Sequence, residues 1–210
     1  MIEMTTLYGA LIDRLDLPPV GTIAVVGPSG GGKSTLAAKV ARRLGASLLS
    51  TDDFLMPEAE RLGPGLLAKY DLEALDAALA RLQAGCPAEY APFDQRTRQR
   101  VGRKVVPPSG SGGIVVEGIV ALCAEHVLAT STLALYVDAP PEVREARQLA
   151  RLGREGWYHD QPRAAIEARI RAKRATEDAI VQGHLVRCQY AITTDGPAPS
   201  IVPIVTAAAA

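Results

Sequence analysis

The stretch that most restricts how this chain can fold is "GPSGGGKST", residues 27–35, which follows the apolar run "TIAVV". That run is compact and rich in β-branched residues, as expected of a strand that a parallel sheet buries on both faces. After the glycines, Leu36, Val40 and Leu44 recur at helical spacing, and Gly45 is a signal for the end of that helix. The sequence therefore predicts a strand, a glycine-rich loop and a helix in direct succession.

The loop has the spacing of a P-loop: Gly27, four residues, and then Gly32, Lys33 and Ser34. Its glycines let several backbone N–H groups point into one concavity, and the helix that follows adds its positive end. Lys33 can reach the β- and γ-phosphates, and the Ser34 hydroxyl can bind Mg²⁺. A plain glycine-rich turn would not explain Lys-Ser at this spacing. We therefore expect ATP and Mg²⁺ to bind at a site formed by Gly27, Pro28, Ser29, Gly30, Gly31, Gly32, Lys33, Ser34 and Thr35.

Strands and helices alternate along the rest of the chain, which predicts an α/β fold of the P-loop NTPase type with a parallel sheet core and helices on both faces. Helices are predicted over 71–84, with Asp71 as the N-cap, over 141–152 and over 162–182. "EYAPFD" and "GRKVVPP" are predicted to be the arms of a hairpin, and no function is assigned to the proline-rich tail. The further strands are predicted in "ASLLS", "IVVEGIVAL", "TLALYVD" and "YAITT".

Composition excludes several classes of partner. The 210 residues carry 23 Lys and Arg against 23 Asp and Glu, so no overall positive field attracts nucleic acid or an anionic membrane. No apolar run reaches membrane-spanning length, and acids interrupt the N-terminal segment, which makes it a poor signal peptide. Cys86, Cys123 and Cys188 lack metal-binding or redox spacing, which favours three reduced thiols. We therefore expect a cytoplasmic protein that binds neither nucleic acid nor membranes.

A P-loop does not identify the group that receives the phosphate. A GTPase switch should carry Asn-Lys-x-Asp after a later strand, and the sequence has no such stretch. An ATPase motor usually ends its second hydrolysis strand in an acidic pair, whereas "IVVEG" offers Glu117 alone. These observations favour a small-molecule kinase. The alternative is a P-loop ATPase or a regulatory nucleotide-binding protein without an acceptor.

Carboxylates follow two of the predicted strands. Asp52 and Asp53 come directly after the second strand, and ligands of open α/β sheets bind at the carboxyl ends of strands. A carboxylate there can orient an acceptor hydroxyl and take its proton during phosphoryl transfer. Glu117 ends a strand at the same edge and can hold Mg²⁺ directly or through water. The simpler alternatives are a helix N-cap for the aspartates and a solvated strand end for Glu117.

Arginines recur before a glycine-containing polar break, "GREGWYHDQ". Arg147, Arg151 and Arg154 are spaced by four and three, so they share one face of a helix. Cations that close over the γ-phosphate stabilise charge during transfer and exclude water. We therefore expect a lid over about residues 150–162, with Arg147 and Arg151 joining Lys33 and Asp52 in catalysis. The alternative is a solvated basic stripe paired with neighbouring glutamates.

Five segments in order, spread from about Gly21 to Thr194, resemble the uridine kinase and phosphoribulokinase family, which includes nicotinamide riboside kinases. The aspartate pair and the "FLMPE" after it are especially similar to nicotinamide riboside kinases. Besides the glycine-rich loop, the segments that carry the resemblance are "LSTDDFLMPE", "KYDLEALDAALARLQAG", "PAEYAPFDQRTRQR", "VVEGIVAL" and "YVDAPPEVREARQLARLGREG".

The resemblance implies roles for single residues. Asp52 takes the place of the acid that activates the acceptor, with Asp53 as its neighbour in the acceptor site. Asp71 matches an acid that binds ribose hydroxyls. The magnesium-side residues are Ser34, Asp52 and Glu117. The resemblance places Arg147, Arg151 and Arg154 at lid or acceptor-side positions.

Two departures from the family pattern fall on the segment that recognises the acceptor. The family's tyrosine is Phe93 here, and its base-contacting histidine is Arg98. Arg98 has three interpretations: it pairs with an acid such as Asp94, it reads a base with two adjacent acceptors, or it binds a carboxylate on a non-nucleoside acceptor. The chemistry of transfer is therefore better founded than uridine as the acceptor.

These observations lead to one expectation for the whole chain. Residues 1–210 form one P-loop kinase domain with a small acceptor-side insertion at about 86–108. The protein phosphorylates a small-molecule alcohol with ATP and Mg²⁺, through the ribose 5′-hydroxyl of a nucleoside-like compound or through another alcohol such as pantothenate. A homo-oligomer is compatible with the sequence.

Overall fold

The computed structural model describes residues 10–155, 161–194 and 199–204. Its centre is a six-stranded sheet in the order β10-β9-β8-β1-β7-β2. Five of its strands, β1, β2, β7, β8 and β9, run parallel to one another, and β10 joins the edge antiparallel to β9. The strands are β1 (Gly21–Val26), β2 (Ser47–Ser50), β7 (Gly113–Glu117), β8 (Ser131–Asp138), β9 (Tyr190–Thr193) and β10 (Ser200–Pro203).

Helices cover both faces of the sheet, and this confirms the predicted α/β fold. Alternate residues of β1 enter two different cores: Ala24 and Val26 belong to one, whereas Ile23 and Val25 belong to the other. The first core is completed by α2 (Leu72–Gln83) and α3 (Glu125–Thr130), and the second by α1 (Lys33–Leu44). Two-sided burial is the reason why this strand is apolar throughout. The helices are α1 (Lys33–Leu44), α2 (Leu72–Gln83), α3 (Glu125–Thr130), α4 (Pro141–Glu155) and α5 (Arg163–Leu185).

Strand register brings the candidate residues to one edge. Glu117, at the end of β7, pairs with Val25 of β1 on one side and with Ser50 of β2 on the other. The glycine-rich loop leaves β1 at this edge, and the turn that carries Asp52 leaves β2 there. The carboxyl ends of parallel strands therefore gather the loop and both acidic segments, as the sequence predicts.

The predicted hairpin is confirmed as two short antiparallel pairs. β3 (Ala88–Tyr90) pairs with β6 (Lys104–Val106), and β4 (Phe93–Asp94) pairs with β5 (Gln99–Arg100). β4 packs against the short 3₁₀ turn at Thr51–Phe54 that follows β2. This small subdomain therefore lies beside the aspartate pair.

The structure extends the predicted elements in three places, one of which is α5, predicted to end at 182 and observed to end at Leu185. α4 continues through Glu155 and includes Gly153, so the helix does not end at 152. The tail contains β10, which the sequence analysis missed because Pro203 and the prolines before the strand argue against one; an edge position tolerates them. Residues 156–160, the middle of the predicted lid, lie outside the described residues. None of the described helices has the length and apolarity that a membrane crossing requires.

Candidate active site

The glycine-rich loop is held tightly against the sheet. Gly27 has φ +146, and a Cβ at this position would lie 1.9 Å from the carbonyl oxygen of Val137 in β8. Only glycine fits such an approach. The loop then turns into α1, where the Lys33 ammonium group donates to the carbonyl oxygen of Pro28 at 3.0 Å. The Lys33 side chain therefore folds back over the loop that precedes it.

Lys33 is buried among acids. Only 8% of the residue is exposed. Burial lowers the pKa of Lys33, and the charges of Glu117 and Asp52 oppose that shift. Because the two carboxylates compensate only in part, a bound phosphate would favour the charged lysine.

Glu117 is the centre of an oxygen cluster. The Ser50 hydroxyl donates to its Oε1 at 2.6 Å, and the Ser34 hydroxyl donates to its Oε2 at 3.2 Å. Burial raises the pKa of Glu117, while Lys33 and the two serine hydrogen bonds lower it. Hydroxyl and carboxylate oxygens are the ligands that Mg²⁺ prefers. The cluster is therefore chemically suited to Mg²⁺, although the described residues include no group of three or more His, Cys, Asp or Glu that could hold a metal ion.

The two adjacent aspartates have different surroundings. Asp53 accepts from the Lys104 ammonium at 2.6 Å and from the Tyr90 hydroxyl at 3.0 Å. Asp52 is exposed and has no hydrogen bond or ion pair within the described ranges, yet its charge acts on Lys33 and Glu117. Asp53 therefore joins β3 and β6 to the turn, and Asp52 is left free in front of the phosphate loop.

A close approach fixes the position of the Asp52 turn. Gly118, directly after Glu117, has φ +145, and a Cβ there would lie 1.8 Å from the Thr51 hydroxyl oxygen. The Gly118 N–H donates to the carbonyl oxygen of Val25 at 3.0 Å. The ends of β1, β7 and β2 are therefore locked together behind the site.

The residues predicted to line the acceptor side, Asp71 and Phe93, have different contacts. Asp71 is confirmed as the N-cap of α2, since its Oδ1 accepts from the Ala74 N–H at 3.0 Å. Its Oδ2 accepts from Arg100 at 2.8 Å, so both carboxylate oxygens already have partners within the chain. Phe93 is buried in β4. The Asp71 N–H also donates to the carbonyl oxygen of Phe54 at 2.9 Å, so the structure brings both Phe93 and Asp71 to the turn that carries Asp52.

Arg98 lies at the tip of the β4–β5 hairpin, exposed and with φ +57. Among the described residues its side chain forms no ion pair with Asp94, and the two residues meet through the backbone, where the Arg98 N–H donates to the Asp94 carbonyl at 2.8 Å. Asp94 Oδ1 accepts instead from the backbone N–H groups of Arg96 and Thr97, at 2.9 and 2.6 Å, because the tight turn needs that oxygen.

The arginines of α4 separate into different environments. Arg147 donates to the Gly30 carbonyl at 3.2 Å, to the Thr194 hydroxyl at 2.8 Å and to the Thr194 carbonyl. It therefore braces the phosphate loop against the end of β9. Arg151 and Arg154 are exposed, and neither has a hydrogen bond or ion pair with another described residue. The structure brings only Arg147 of this predicted set to the loop.

The sequence analysis missed the contribution of α5. Glu177 is 3% exposed and forms an ion pair with Lys173 at 2.6 Å. Both charges act on Lys33, and Glu177 also acts on Tyr70, whose pKa is raised chiefly by burial and then by Asp52. In the sequence, a Lys–Glu pair four residues apart is typical of a solvated helix face. Nothing in the spacing indicates that Glu177 is buried and acts on Lys33.

Comparison with known proteins gives two enzymes and a family model. A family model described as an AAA domain matches residues 23–106. A uridine kinase from Saccharomyces cerevisiae is 32% identical over an alignment of 154 residues, and the alignment covers 64% of this chain and 30% of that enzyme. A cytidylate kinase from Symbiobacterium thermophilum is 32% identical over an alignment of 184 residues, and the alignment covers 74% of this chain and 79% of that enzyme. The chain thus spans less than a third of the yeast enzyme and most of the bacterial one.

Solved structures share the fold. A possible uridine kinase from Bacillus stearothermophilus has a TM-score of 0.52 at 21% identity, covering 70% of this chain and 87% of that one. A proposed fructose transport system kinase from Silicibacter sp. TM1040 has a TM-score of 0.59 at 22% identity, covering 86% and 94% of the two chains. At these identities the likeness establishes the architecture alone.

Proposed function

We propose that this chain, which belongs to the uridine kinase-like family of P-loop kinases, transfers the γ-phosphoryl group of ATP to a hydroxyl group of a small molecule. Its relatives are kinases, which supports a phosphotransferase. The observation that carries the proposal is the free carboxylate of Asp52 in front of the glycine-rich loop. The carboxylate of its neighbour Asp53 is paired with the Lys104 ammonium, so Asp52 is the unpaired carboxylate of this turn that can act as a base.

The residues of the loop have separate tasks in this proposal. Backbone N–H groups of the loop and the Lys33 ammonium bind the β- and γ-phosphates. Ser34 and Glu117 would hold Mg²⁺, directly or through water, and the ion would neutralise charge on those phosphates. Arg147 keeps the loop in its binding conformation through the Gly30 carbonyl.

Asp52 acts on the acceptor. It orients the acceptor hydroxyl and takes its proton as the hydroxyl oxygen forms a bond to the γ-phosphorus. The bond between that phosphorus and the β–γ bridging oxygen breaks, and ADP leaves with the electron pair. The products are ADP, a phosphate ester and the proton, which Asp52 passes to solvent.

The acceptor is most simply a ribose 5′-hydroxyl of a nucleoside-like compound. The two curated relatives are named for uridine and for cytidylate, which supports this class. The cytidylate kinase relative also favours a second candidate, in which a nucleoside monophosphate accepts the group. Pantothenate represents the remaining class of non-nucleoside alcohols, and an ATPase without acceptor is the rival function.

The test is ADP release in the presence and absence of acceptors. The panel is uridine, cytidine, their 5′-monophosphates, pantothenate and sugar alcohols, with products identified by the mass of an added phosphate. We expect little ADP release alone and a strong increase with one class of acceptor. Lys33→Ala should abolish both signals while the protein stays folded. Equal ADP release with and without every acceptor would indicate the ATPase instead.

A further inference from the structure

Ser50 stands at the start of the Asp52 turn but does not cap it. It directly precedes the 3₁₀ turn at Thr51–Phe54, a position where a serine side chain typically accepts a hydrogen bond from a backbone N–H of the turn. Ser50 forms no such bond. Its hydroxyl instead donates to Glu117 Oε1 at 2.6 Å. Capping therefore does not account for a serine here, whereas the contact across the sheet does.

The pairing of β2 with β7 fixes this contact. Ser50 and Glu117 are register partners at the carboxyl ends of the two strands. Side chains alternate between the faces of a strand, so Ser50 shares a face with Leu48, and Glu117 shares a face with Val115. Val115 belongs to the core that α1 completes, and Leu48 packs against that core. Ser50 and Glu117 therefore point to the side of the sheet on which α1 and Ser34 lie.

The two hydroxyls that donate to Glu117 belong to different parts of the fold. Ser34 is exposed at the start of α1, donates to Oε2 at 3.2 Å, and carries an oxygen suited to Mg²⁺. Ser50 is half-buried in the sheet and gives the shorter bond, to Oε1. Glu117 is 7% exposed, and a buried carboxylate is costly unless it is hydrogen-bonded. Ser50 thus satisfies the oxygen of Glu117 that faces away from Ser34.

We propose that Ser50 is a positioning residue for Mg²⁺, whose hydroxyl holds Glu117 Oε1 so that Oε2 stays beside Ser34. The inference rests on the proposed function for the assignment of the ion to Ser34 and Glu117. Ser50 acts through Glu117 and contacts neither the ion nor a phosphate in this role. Without its hydroxyl, Oε1 loses a donor and the carboxylate can turn away from Ser34. Partners that orient a metal ligand in this way typically change metal affinity when they are removed.

This role can be measured without turnover. Binding of a non-hydrolysable ATP analogue is measured by isothermal calorimetry, once with Mg²⁺ and once with EDTA. The ratio of the dissociation constant in EDTA to that in Mg²⁺ is called here the metal preference. We expect the wild type to prefer the Mg²⁺ complex, and Ser50→Ala to lose about tenfold or more of that preference. Binding in EDTA should stay close to that of the wild type, because Lys33 and the loop backbone are untouched.

Ser47→Ala is the matched control. Ser47 lies at the other end of β2, is 7% exposed, and donates its hydroxyl to the Pro107 carbonyl at 2.7 Å. The control therefore removes a buried hydroxyl bond from the same strand without touching Glu117. We expect a lower melting temperature for this variant, because the Pro107 carbonyl loses its donor, and an unchanged metal preference.

Conservative variants test whether the hydroxyl is the acting group. Ser50→Thr keeps the hydroxyl, and a strand position suits a β-branched residue, so we expect it to keep the metal preference of the wild type. Ser50→Cys keeps the size of the side chain and offers a weak S–H donor, which should give an intermediate value. If Ser50→Thr does not fold, Ser50→Cys decides. Loss of the preference in both, equal to the loss in Ser50→Ala, overturns the inference.

A double-mutant cycle tests whether Ser50 acts through Glu117. Glu117→Ala removes the acceptor of the Ser50 hydroxyl and should lower the metal preference by itself. We expect no further loss when Ser50→Ala is added, because residues that act as a unit are not additive. A further loss of the same size as in the wild-type background would mean that Ser50 acts on the metal independently, and the inference would be overturned.

The outcomes separate this inference from the proposed function. An unchanged metal preference in Ser50→Ala overturns the inference, and so does a wild type that binds the analogue equally well with Mg²⁺ and with EDTA. Equal weakening under both conditions would indicate damage to the phosphate loop and would overturn it as well. The proposed function is decided by ADP release that depends on an acceptor. If the metal preference depends on Ser50 but no hydroxyl compound is phosphorylated, the inference stands and the proposed function fails.

Discussion

Asp52 and Asp53 differ in what holds them, and this difference predicts different effects of the same substitution. Asp52→Asn removes a base that has no structural partner among the described residues, so we expect kcat to fall by about 100-fold or more. Its melting temperature and ATP affinity should stay close to those of the wild type. Steady-state kinetics together with thermal unfolding would measure both effects.

Asp53→Asn is the matched control for that prediction. It breaks the ion pair with Lys104 and weakens the bond from the Tyr90 hydroxyl. We expect a lower melting temperature and a higher KM for the acceptor, because β3 and β6 lose their tie to the turn. A larger loss of kcat in Asp53→Asn than in Asp52→Asn would reverse the assignment of the base.

The lowered pKa of Lys33 predicts that ATP binding is linked to protons. A bound triphosphate raises the pKa of Lys33. At a pH between the pKa of Lys33 in the free protein and its pKa in the complex, ATP binding therefore takes up a proton. ATP affinity should then fall as the pH rises above the pKa of Lys33 in the free protein. Isothermal calorimetry in buffers of different ionisation enthalpy, at pH values below the ordinary lysine pKa, would detect the uptake.

Lys33→Arg is the control for the linked proton. Arginine stays charged throughout this range and still binds phosphate. The variant should therefore bind Mg-ATP without taking up a proton. If the wild type and Lys33→Arg show the same proton uptake, the proton goes to a different group and Lys33 is charged before ATP binds.

At the scale of elements, Arg147 couples α4 and β9 to the phosphate loop. We expect Arg147→Gln to raise the KM for ATP by about tenfold, the scale of one lost charge-assisted hydrogen bond, with a smaller change in kcat. We expect this result because the carbonyl groups of Gly30 and Thr194 would each lose the hydrogen bond that Arg147 donates. Arg151→Gln, on the exposed part of α4, is the control. A fall in kcat with unchanged KM for ATP would place Arg147 at the transferring phosphate instead.

Elements with local signals were predictable from the sequence. The glycine-rich loop, the apolar strands and the Asp71 cap each have a pattern that a short window contains, and the structure confirms those elements. The environment of a side chain depends on contacts across the fold. Asp53 meets Lys104, 51 residues further on, and Arg147 meets Thr194, 47 residues further on. No local pattern distinguishes Asp52 from Asp53, or a bracing arginine from a lid arginine.

At the scale of the whole molecule, the described sheet ends in β2 on one side and in β10 on the other. β10 pairs with β9 over four residues, so it covers an edge that would otherwise be open to another chain. Its central residues differ: Ile201 packs against the core that contains Ile192, and Val202 is 59% exposed. This alternation predicts that the Ile201 side chain anchors β10 to the sheet and that the Val202 side chain does not.

Ile201→Asp and Val202→Asp form a matched pair for this prediction. Placing a carboxylate where the partly buried Ile201 packs removes roughly 1 kcal/mol of apolar burial and adds a desolvation cost. For a chain of this size we expect a melting temperature lower by roughly 5 °C or more, together with self-association through the freed edge of β9. Val202→Asp should change neither, because its side chain already faces water. Thermal unfolding and sedimentation velocity would measure the pair, and equal behaviour of the two variants would mean that β10 is not anchored to the sheet through Ile201.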